Sequence, residues 1–263
     1  MLMCGGLFKI FMEWNGMRSN FRLIFRLIPL LLGFFLQIAA AETIQIGAED
    51  SWPPFSRKDG TGLTNTIVKE AYASQGVDVE FVIAPYSRLL REVKTGRLMA
   101  LFNVTREEST QQTFLFGEHK LFTATTAYYH HKNRPLNASN FREVNHGEKI
   151  GMILGYEYGP FILSNRDIAS IRVKYQSQLV KMLLKNRLDG ALMFDAIADD
   201  IFKTIKNSEK IVRAFDGQHS DIYVAFSRRF PGAEKYMNLL DKGLMQIRKN
   251  GQLSRILDGK AVP

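Results

Sequence analysis

The feature that most constrains this chain is an alternation of two periodicities. Strand-like apolar runs are separated by segments whose apolar positions recur at helical spacing. Such alternation marks a sheet with crossover helices, an α/β fold, rather than an all-α or all-β chain. Thr43 to Ala48 reads as the first strand, and Ser51-Trp52-Pro53-Pro54-Phe55 breaks it, because two consecutive prolines cannot continue a ladder. Leu63, Ile67, Val68, Ala71 and Tyr72 then share one helical face, with Gly76 as a stop. Val77 to Ile83 returns to strand. A second helix is written by Leu89, Leu90 and Val93, closes at Gly96, and leads into a strand over Leu98 to Val104.

The same order recurs further on. Leu179, Val180, Leu183 and Leu184 form an apolar stripe, Asn186-Arg187 stands where Gly96-Arg97 stood, and Leu188 to Phe194 repeats the strand, at an offset of 90 residues. Two lobes of like construction are therefore expected. The match is short, and a helix, turn and strand joined by Gly or Asn is common in any α/β protein. Near the end, Phe230-Pro231-Gly232 opens a long amphipathic helix through Tyr236, Leu240, Leu244 and Ile247, which Gly251 ends.

The amino-terminal stretch reads as a cleaved export signal over residues 1–41. Arg18, Arg22 and Arg26 form a basic region, Leu27 to Ile38 a short apolar run, and Ala39-Ala40-Ala41 a small-residue cleavage site. The apolar run carries Pro29, Gly33 and Gln37 and is short for a membrane anchor. Residues 1–16 read as an extension upstream of Met17 from a misplaced start codon. A periplasmic location follows as the expectation.

Cys4 is the one cysteine, and it precedes the apolar run. The mature chain then holds none, which excludes a disulfide framework, a thiolate metal site, a cysteine nucleophile and a lipid-modified first residue. Cleavage removes Lys9, Arg18, Arg22, Arg26 and Glu13, lowering the net charge from +9 to about +6. With no basic run and no interleaving of basic and aromatic residues, nucleic acid is not an expected partner. The excess supports only a mild bias toward anionic ligands. No cofactor or metal is expected.

Three stretches carry a resemblance: Glu49-Asp50-Ser51-Trp52-Pro53-Pro54-Phe55; Tyr86-Ser87-Arg88-Leu89-Leu90 followed by Gly96-Arg97; and the closing Leu244 to Leu257. In order and spacing they resemble the family 3 extracellular solute-binding proteins, the lobed receptors of amino-acid importers, over Glu42 to Val262. The resemblance implies a two-lobed periplasmic-binding-protein-like fold of type II, each lobe a mixed sheet flanked by helices, with a two-strand hinge. It implies a first lobe of residues 42–130 and 225–263 and a second of residues 131–224. Ligands of open α/β sheets bind beyond the carboxyl ends of the strands, which places the cleft at Glu49 to Phe55, Asn103 to Arg106 and near Asp195.

The sequence departs from the amino-acid receptors of that family at three places. Those receptors follow the strand equivalent to Leu98 to Val104 with a threonine and, three positions on, an arginine that grips the ligand carboxylate. Here Thr105 is followed three positions on by Glu108, with Arg106 the nearest guanidinium. At Gly155-Tyr156-Glu157 a tyrosine stands where small hydroxyl residues usually open a helix. Phe194 occupies the usual place of an acidic residue that pairs with the ligand ammonium; Asp195 is one step further, on the other face of a regular strand.

The expected ligand-binding residues are Glu49, Trp52, Phe55, Tyr86, Arg88, Asn103, Thr105, Arg106, Tyr156 and Asp195. Each has a plainer reading. Trp52 and Phe55 serve as a ring platform or as an apolar plug. Arg88 is either a ligand contact or a solvated helix-terminal charge. Asn103 and Thr105 are hydrogen-bonding strand ends or turn formers. Glu49 and Asp50 are expected to be solvated loop charges before they are an acid-base pair. His130-His131 lacks a second ligand cluster and reads as hinge or surface.

The function expected is capture of a small polar metabolite, an amino acid or related organic acid, by a monomer that closes and docks on a membrane permease. An enzyme of dehydratase type on the same scaffold is the rival, with Glu157 and Glu49 as its candidate bases. A ligand-sensing subunit of a signalling system is a third reading.

Overall fold

The computed structural model describes residues 42–144, 147–159 and 168–259; the export-signal reading of residues 1–41 lies outside the described residues. Among the described residues no helix is long and apolar enough to cross a membrane.

The chain opens with β1 (Glu42–Glu49), followed by a two-residue hairpin, β2 (Ser51–Trp52) and β3 (Ser56–Arg57), closed by the Phe55 N–H donating to the Trp52 carbonyl. Helix α1 (Leu63–Ala73) crosses to β4 (Val77–Ala84), and α2 (Tyr86–Lys94) crosses to β5 (Ala100–Thr105). Both β4 and β5 lie parallel to β1, on either side of it. After α3 (Glu108–Thr113) and the short β6 (Phe114–Phe116), β7 (Phe122–His131) runs out to a second set. There β8 (Lys149–Ile153) takes β9 (Ala169–Val173) and, after α4 (Gln176–Leu184), β10 (Gly190–Phe194) as parallel neighbours. Helix α5 (Asp195–Phe202) follows directly; β11 (Ile211–Ser227) then returns to the first set, where α6 (Ala233–Lys249) and α7 (Gln252–Leu257) end the described chain.

Strand order across the sheet is β4-β1-β5-β11-β7-β10-β8-β9, with β6 also paired to β11. Read from either edge, three parallel strands meet one antiparallel strand: β5 pairs with β11 and β10 with β7. The two crossing strands pair with each other from Ile211↔His131 to Ile222↔Phe122. This is the two-lobed type II architecture. The central strands β5 and β10 are buried along their whole length, as expected for strands covered by helices on both faces.

The repeat at the helix-to-strand junctions extends to individual hydrogen bonds. Gly96 and Asn186 both adopt left-handed backbone, with φ of 79° and 52°. Arg97 N–H donates to the Glu92 carbonyl and Arg187 N–H to Met182, each at 2.9 Å, the bond that spans a helix C-terminus in a Schellman turn. These turns also explain why β5 and β10 start two residues later than the apolar pattern predicts: Leu98 N–H is still bonded to Glu92. Likewise α6 starts at Ala233, after Gly232 in left-handed conformation, and not at Pro231.

Helices α1 and α6 pack in direct backbone contact. A Cβ built on Gly243 would lie 2.0 Å from the Ala71 carbonyl oxygen, and the Tyr72 hydroxyl donates to the Tyr236 carbonyl nearby. Neither helix backbone can yield locally, so Gly243→Ala is expected to lower stability by about 1–3 kcal/mol despite its better helix propensity. Guanidinium unfolding reads this as a lower midpoint at unchanged slope; an unchanged midpoint would contradict the close packing.

Candidate functional site

The carboxyl ends of β1, β5, β8 and β10 converge, and the loops beyond them interlock. β1 delivers Glu49 into the interior, where it is only 3 % exposed. The loop that follows is held from below: the Ser56 hydroxyl donates to the Glu49 carbonyl, and the first two amides of α1, Leu63 and Thr64, donate to the Pro54 and Phe55 carbonyls. These helix-terminal amides would otherwise lack partners. Gly62, just before them, has φ 143°, and a Cβ there would sit 2.2 Å from the Phe55 oxygen. The loop therefore has one place to go, and it sets Trp52 and Phe55 against Phe122, with Trp52 edge-on to Phe194 at 5.2 Å.

β5 carries a bulge at its outer end. Its pairing with β11 skips Asn103, which has φ 67°, so this residue is the extra one in the strand. The bulge turns the Asn103 side chain to the Thr64 hydroxyl, which donates to its Oδ1 at 2.9 Å, while Nδ2 is buried without a partner. The loop after β8 is fixed in its turn. Gly155 takes φ 93°, and the Ile153 N–H donates to the Tyr158 hydroxyl at 2.9 Å. Tyr156 and Glu157 are thereby directed at the first lobe.

Two tyrosine–glutamate pairs join the lobes there, in opposite senses. The Tyr156 hydroxyl donates to Glu49 Oε1 at 2.6 Å, and the Tyr86 hydroxyl, from the first turn of α2, donates to both oxygens of Glu157 at 2.9 Å. The Thr105 N–H adds a longer bond to Glu157 Oε2 at 3.4 Å. The two tyrosine rings meet edge to face at 5.0 Å. Each lobe thus supplies one glutamate and one tyrosine. An Arg57–Asp200 ion pair at 3.5 Å spans the lobes beside the cluster.

Burial dominates the electrostatics. Desolvation pushes Glu49 up to about 8, against the hydrogen bond from Tyr156, with Asp50 and Glu157 adding repulsion. Glu157 is likewise pushed up to about 8 by desolvation, against the bonds from Tyr86 and Thr105. Asp50 is raised by partial burial, partly offset by Lys174 and Lys58. The buried Tyr86 and Tyr156 hydroxyls are held far above the ordinary tyrosine range, first by burial and then by their glutamate neighbours.

Seven of the expected residues lie in or beside this cluster: Glu49, Trp52, Phe55, Tyr86, Asn103, Thr105 and Tyr156. Three do not. Arg88 is exposed on the outer face of α2. Arg106 turns away from the cluster, donating to the Gly117 carbonyl at 3.2 Å and stacking over Tyr223. Asp195 receives a bidentate pair from Arg213 and a bond from Tyr129; β10 ends at Phe194, whose ring meets Trp52 and Tyr156, and although the strand end intervenes, Asp195 opens α5 with its carboxylate committed to Arg213 and not to the cluster. The solvated reading of Glu49 is also corrected, because β1 continues to Glu49 and carries it inside. His130 and His131 fasten the turn after β7, accepting from Leu136 N–H and Asn133 N–H.

Three further residues belong to the cluster. Glu157, read from the sequence only as a candidate base, is central to it. Phe194 was legible as the residue standing where an acidic one was expected. Gln176, at the start of α4, is 1 % exposed; its amide lies beside the Tyr156 hydroxyl, yet neither amide atom makes a hydrogen bond of normal geometry. Nothing in its local sequence distinguishes it.

A two-lobed fold with buried polar groups gathered where the strand ends meet defines a class of ligand-binding proteins. The profile of bacterial extracellular solute-binding proteins, family 3, matches residues 44–259, and the chain belongs to that family. No curated protein matches the chain in sequence. Among solved structures, a histidine kinase sensor domain with similarity to periplasmic binding proteins is 17 % identical, with a TM-score of 0.74, covering 82 % of this chain and 95 % of that one. An ancestral amino-acid-binding protein, a precursor of cyclohexadienyl dehydratase, is 19 % identical (TM-score 0.69, 82 % and 94 % covered). An amino acid ABC transporter substrate-binding protein from Streptococcus pneumoniae, bound to L-arginine, is 15 % identical (TM-score 0.69, 82 % and 93 % covered). At these identities the likeness concerns the fold.

The raised carboxyls make stability depend on pH. Both are protonated in the folded protein up to about pH 8 but ionise near their ordinary value of 4.5 when unfolded, so folding takes up protons in between. Stability from these groups is full below about pH 4.5 and is lost as pH rises toward 8. Melting temperature is expected to fall across pH 5–8, and Glu49→Gln or Glu157→Gln to flatten that slope. A slope unchanged in both variants would show that these carboxyls do not titrate as described.

Proposed function

We propose that the chain is a periplasmic binding protein, exported through a cleaved leader, that captures a small polar metabolite by lobe closure and delivers it to a membrane transporter. The observation that carries this reading is the pair of opposed Glu–Tyr hydrogen bonds, Glu49–Tyr156 and Glu157–Tyr86, which exist only while the two lobes meet. Polar groups that bond across a junction are the parts of the site that a ligand between the lobes can engage. A ligand that binds both faces shifts the balance toward the closed form by its differential contacts.

The lobes are divided as residues 42–130 with 225–263 and residues 131–224, with β7 and β11 as hinge. Pairing of β7 with β10 from Thr126 onward supports a crossing point a few residues before the end of β7. The register irregularities in β11 between Arg213 and Phe215 and between Asp216 and His219 favour bending in the same stretch.

Turnover is the alternative that the site itself raises, since two carboxylic acids with raised pKa are the equipment of acid-base chemistry. In this arrangement both are bonded to tyrosines of the opposite lobe, which suits a closing contact. Loss of a carboxylic-acid substrate in the presence of the purified chain, abolished by Glu157→Gln, would establish the enzyme instead.

A thermal-shift screen of the purified chain against amino acids, organic acids and polyamines tests the binding reading. A ligand at one hundred times its dissociation constant contributes about 2.7 kcal/mol, or roughly 5–10 °C for a protein of this size. A positive result is a saturable rise of that order, reduced by Tyr156→Phe. A panel without any such rise sinks the reading.

A further inference from the structure

Each lobe brings a glutamate to the cluster, and among the described residues no cation is hydrogen-bonded to either carboxyl. Among the described residues, the hydrogen bonds to the Glu49 and Glu157 carboxyls come from uncharged donors: Tyr156, Tyr86 and the backbone amides of Thr105 and of Glu157 itself. Two carboxyls buried together without a basic partner carry an uncompensated desolvation cost whenever they ionise. Accepting capacity is left over: Glu49 Oε2 is buried with no partner, and the Gln176 amide, beside Tyr156, is buried with neither atom bonded.

Among the described residues, the groups expected to hold a ligand carboxylate are turned elsewhere. Arg88 is exposed, Arg106 is committed to Gly117, and the Thr105 N–H is already given to Glu157. A second carboxylate brought here would face Glu49, Glu157, Asp50 and Glu107, whose repulsions are already felt within the cluster. An ammonium or guanidinium group meets the opposite situation, because a charge-assisted hydrogen bond to a desolvated carboxylate is among the strongest available. The adjoining rings of Trp52, Phe194 and Tyr156 offer apolar faces for a carbon chain and attract a cation as well.

Building on the binding reading above, we propose that the ligand is an organic cation that carries no carboxylate, an amine or guanidine of the polyamine kind. Its charged nitrogen lies between Glu49 and Glu157, and its chain runs along Trp52 and Phe194. Glu157 keeps its bonds from Tyr86 and Thr105, and the free oxygen of Glu49 takes the new donor. Because the carboxyls lose their protons when the cation arrives, binding at neutral pH releases protons and tightens as pH rises toward 8. The titratable and charged groups around them are Asp50, Glu107, Tyr86, Tyr156 and Tyr158, with Arg172, Lys58 and Lys174 further out.

Isothermal titration calorimetry of the purified chain decides the matter, using putrescine, spermidine and agmatine against arginine, glutamate and succinate, in two buffers of different ionisation enthalpy. The carboxylate-free cations are expected to bind at least about tenfold more tightly than arginine, with proton release at pH 7, while glutamate and succinate do not bind. Glu49→Gln and Glu157→Gln should each weaken the cation by about 10- to 100-fold while melting cooperatively. If either variant fails to fold, the other variant and the proton release carry the test. Arginine, glutamate or succinate bound in preference to every carboxylate-free cation overturns the cation assignment and leaves the binding reading standing. Cation binding unaffected by both substitutions also overturns it. No binding by any of the six compounds overturns both.

Discussion

The antiparallel pairing of β7 with β11 is the contact on which the rest of the architecture depends. β7 pairs with β11 along its whole length and also with β10, and β11 pairs with β5 at its far end, so the pair is the seam at which the two sets of three parallel strands meet. Backbone hydrogen bonds make this seam independent of side-chain identity. The register irregularities in β11 loosen it at two points without ending it. The strand ends on both sides are thereby brought to one place, and the loops beyond them must accommodate each other.

That accommodation is polar at its centre and aromatic at its margin. Trp52, Phe55, Phe122 and Phe194 supply the dispersion and burial that make the junction adhesive. Glu49, Glu157, Tyr86 and Tyr156 supply directions instead. A buried carboxyl is a poor source of net stability, because its desolvation offsets most of what its bonds return. Its presence at a lobe junction is better understood as selectivity: the contact is favourable only with donors in particular positions.

The sequence made the fold legible because its signals are local. The double proline after β1, the stop at Gly76 and the turn residues Gly96 and Asn186 are chemical instructions read within a few residues, and the structure follows them with shifts of one or two positions at element ends. The site was less legible, for a physical reason. Whether Glu49 is solvated depends on a tyrosine 107 positions away, and no local pattern encodes that meeting. The direction taken by a long side chain was likewise beyond reach: Arg106 stands at a strand end beside the cluster yet turns outward to Gly117 and Tyr223. Asp195 was doubtful on strand parity; the strand ends one residue before it, and Arg213, 18 positions on, takes the carboxylate, a pairing that no local pattern announces. The resemblance pointed to loops that the structure brings together, and the hydrogen bonds within them were not legible from it.

The short turn carrying Tyr156 and Glu157 concentrates half of the junction's polar contacts in two adjacent residues. Both inter-lobe partners sit side by side on one Gly-initiated loop, while their counterparts, Glu49 and Tyr86, are anchored on a strand and a helix of the other lobe. A change in the length of this one loop would replace both contacts across the junction together and leave the scaffold intact. The way the two halves of the sheet grip each other is therefore a small mutational distance from change, with the framework opposite the turn left untouched.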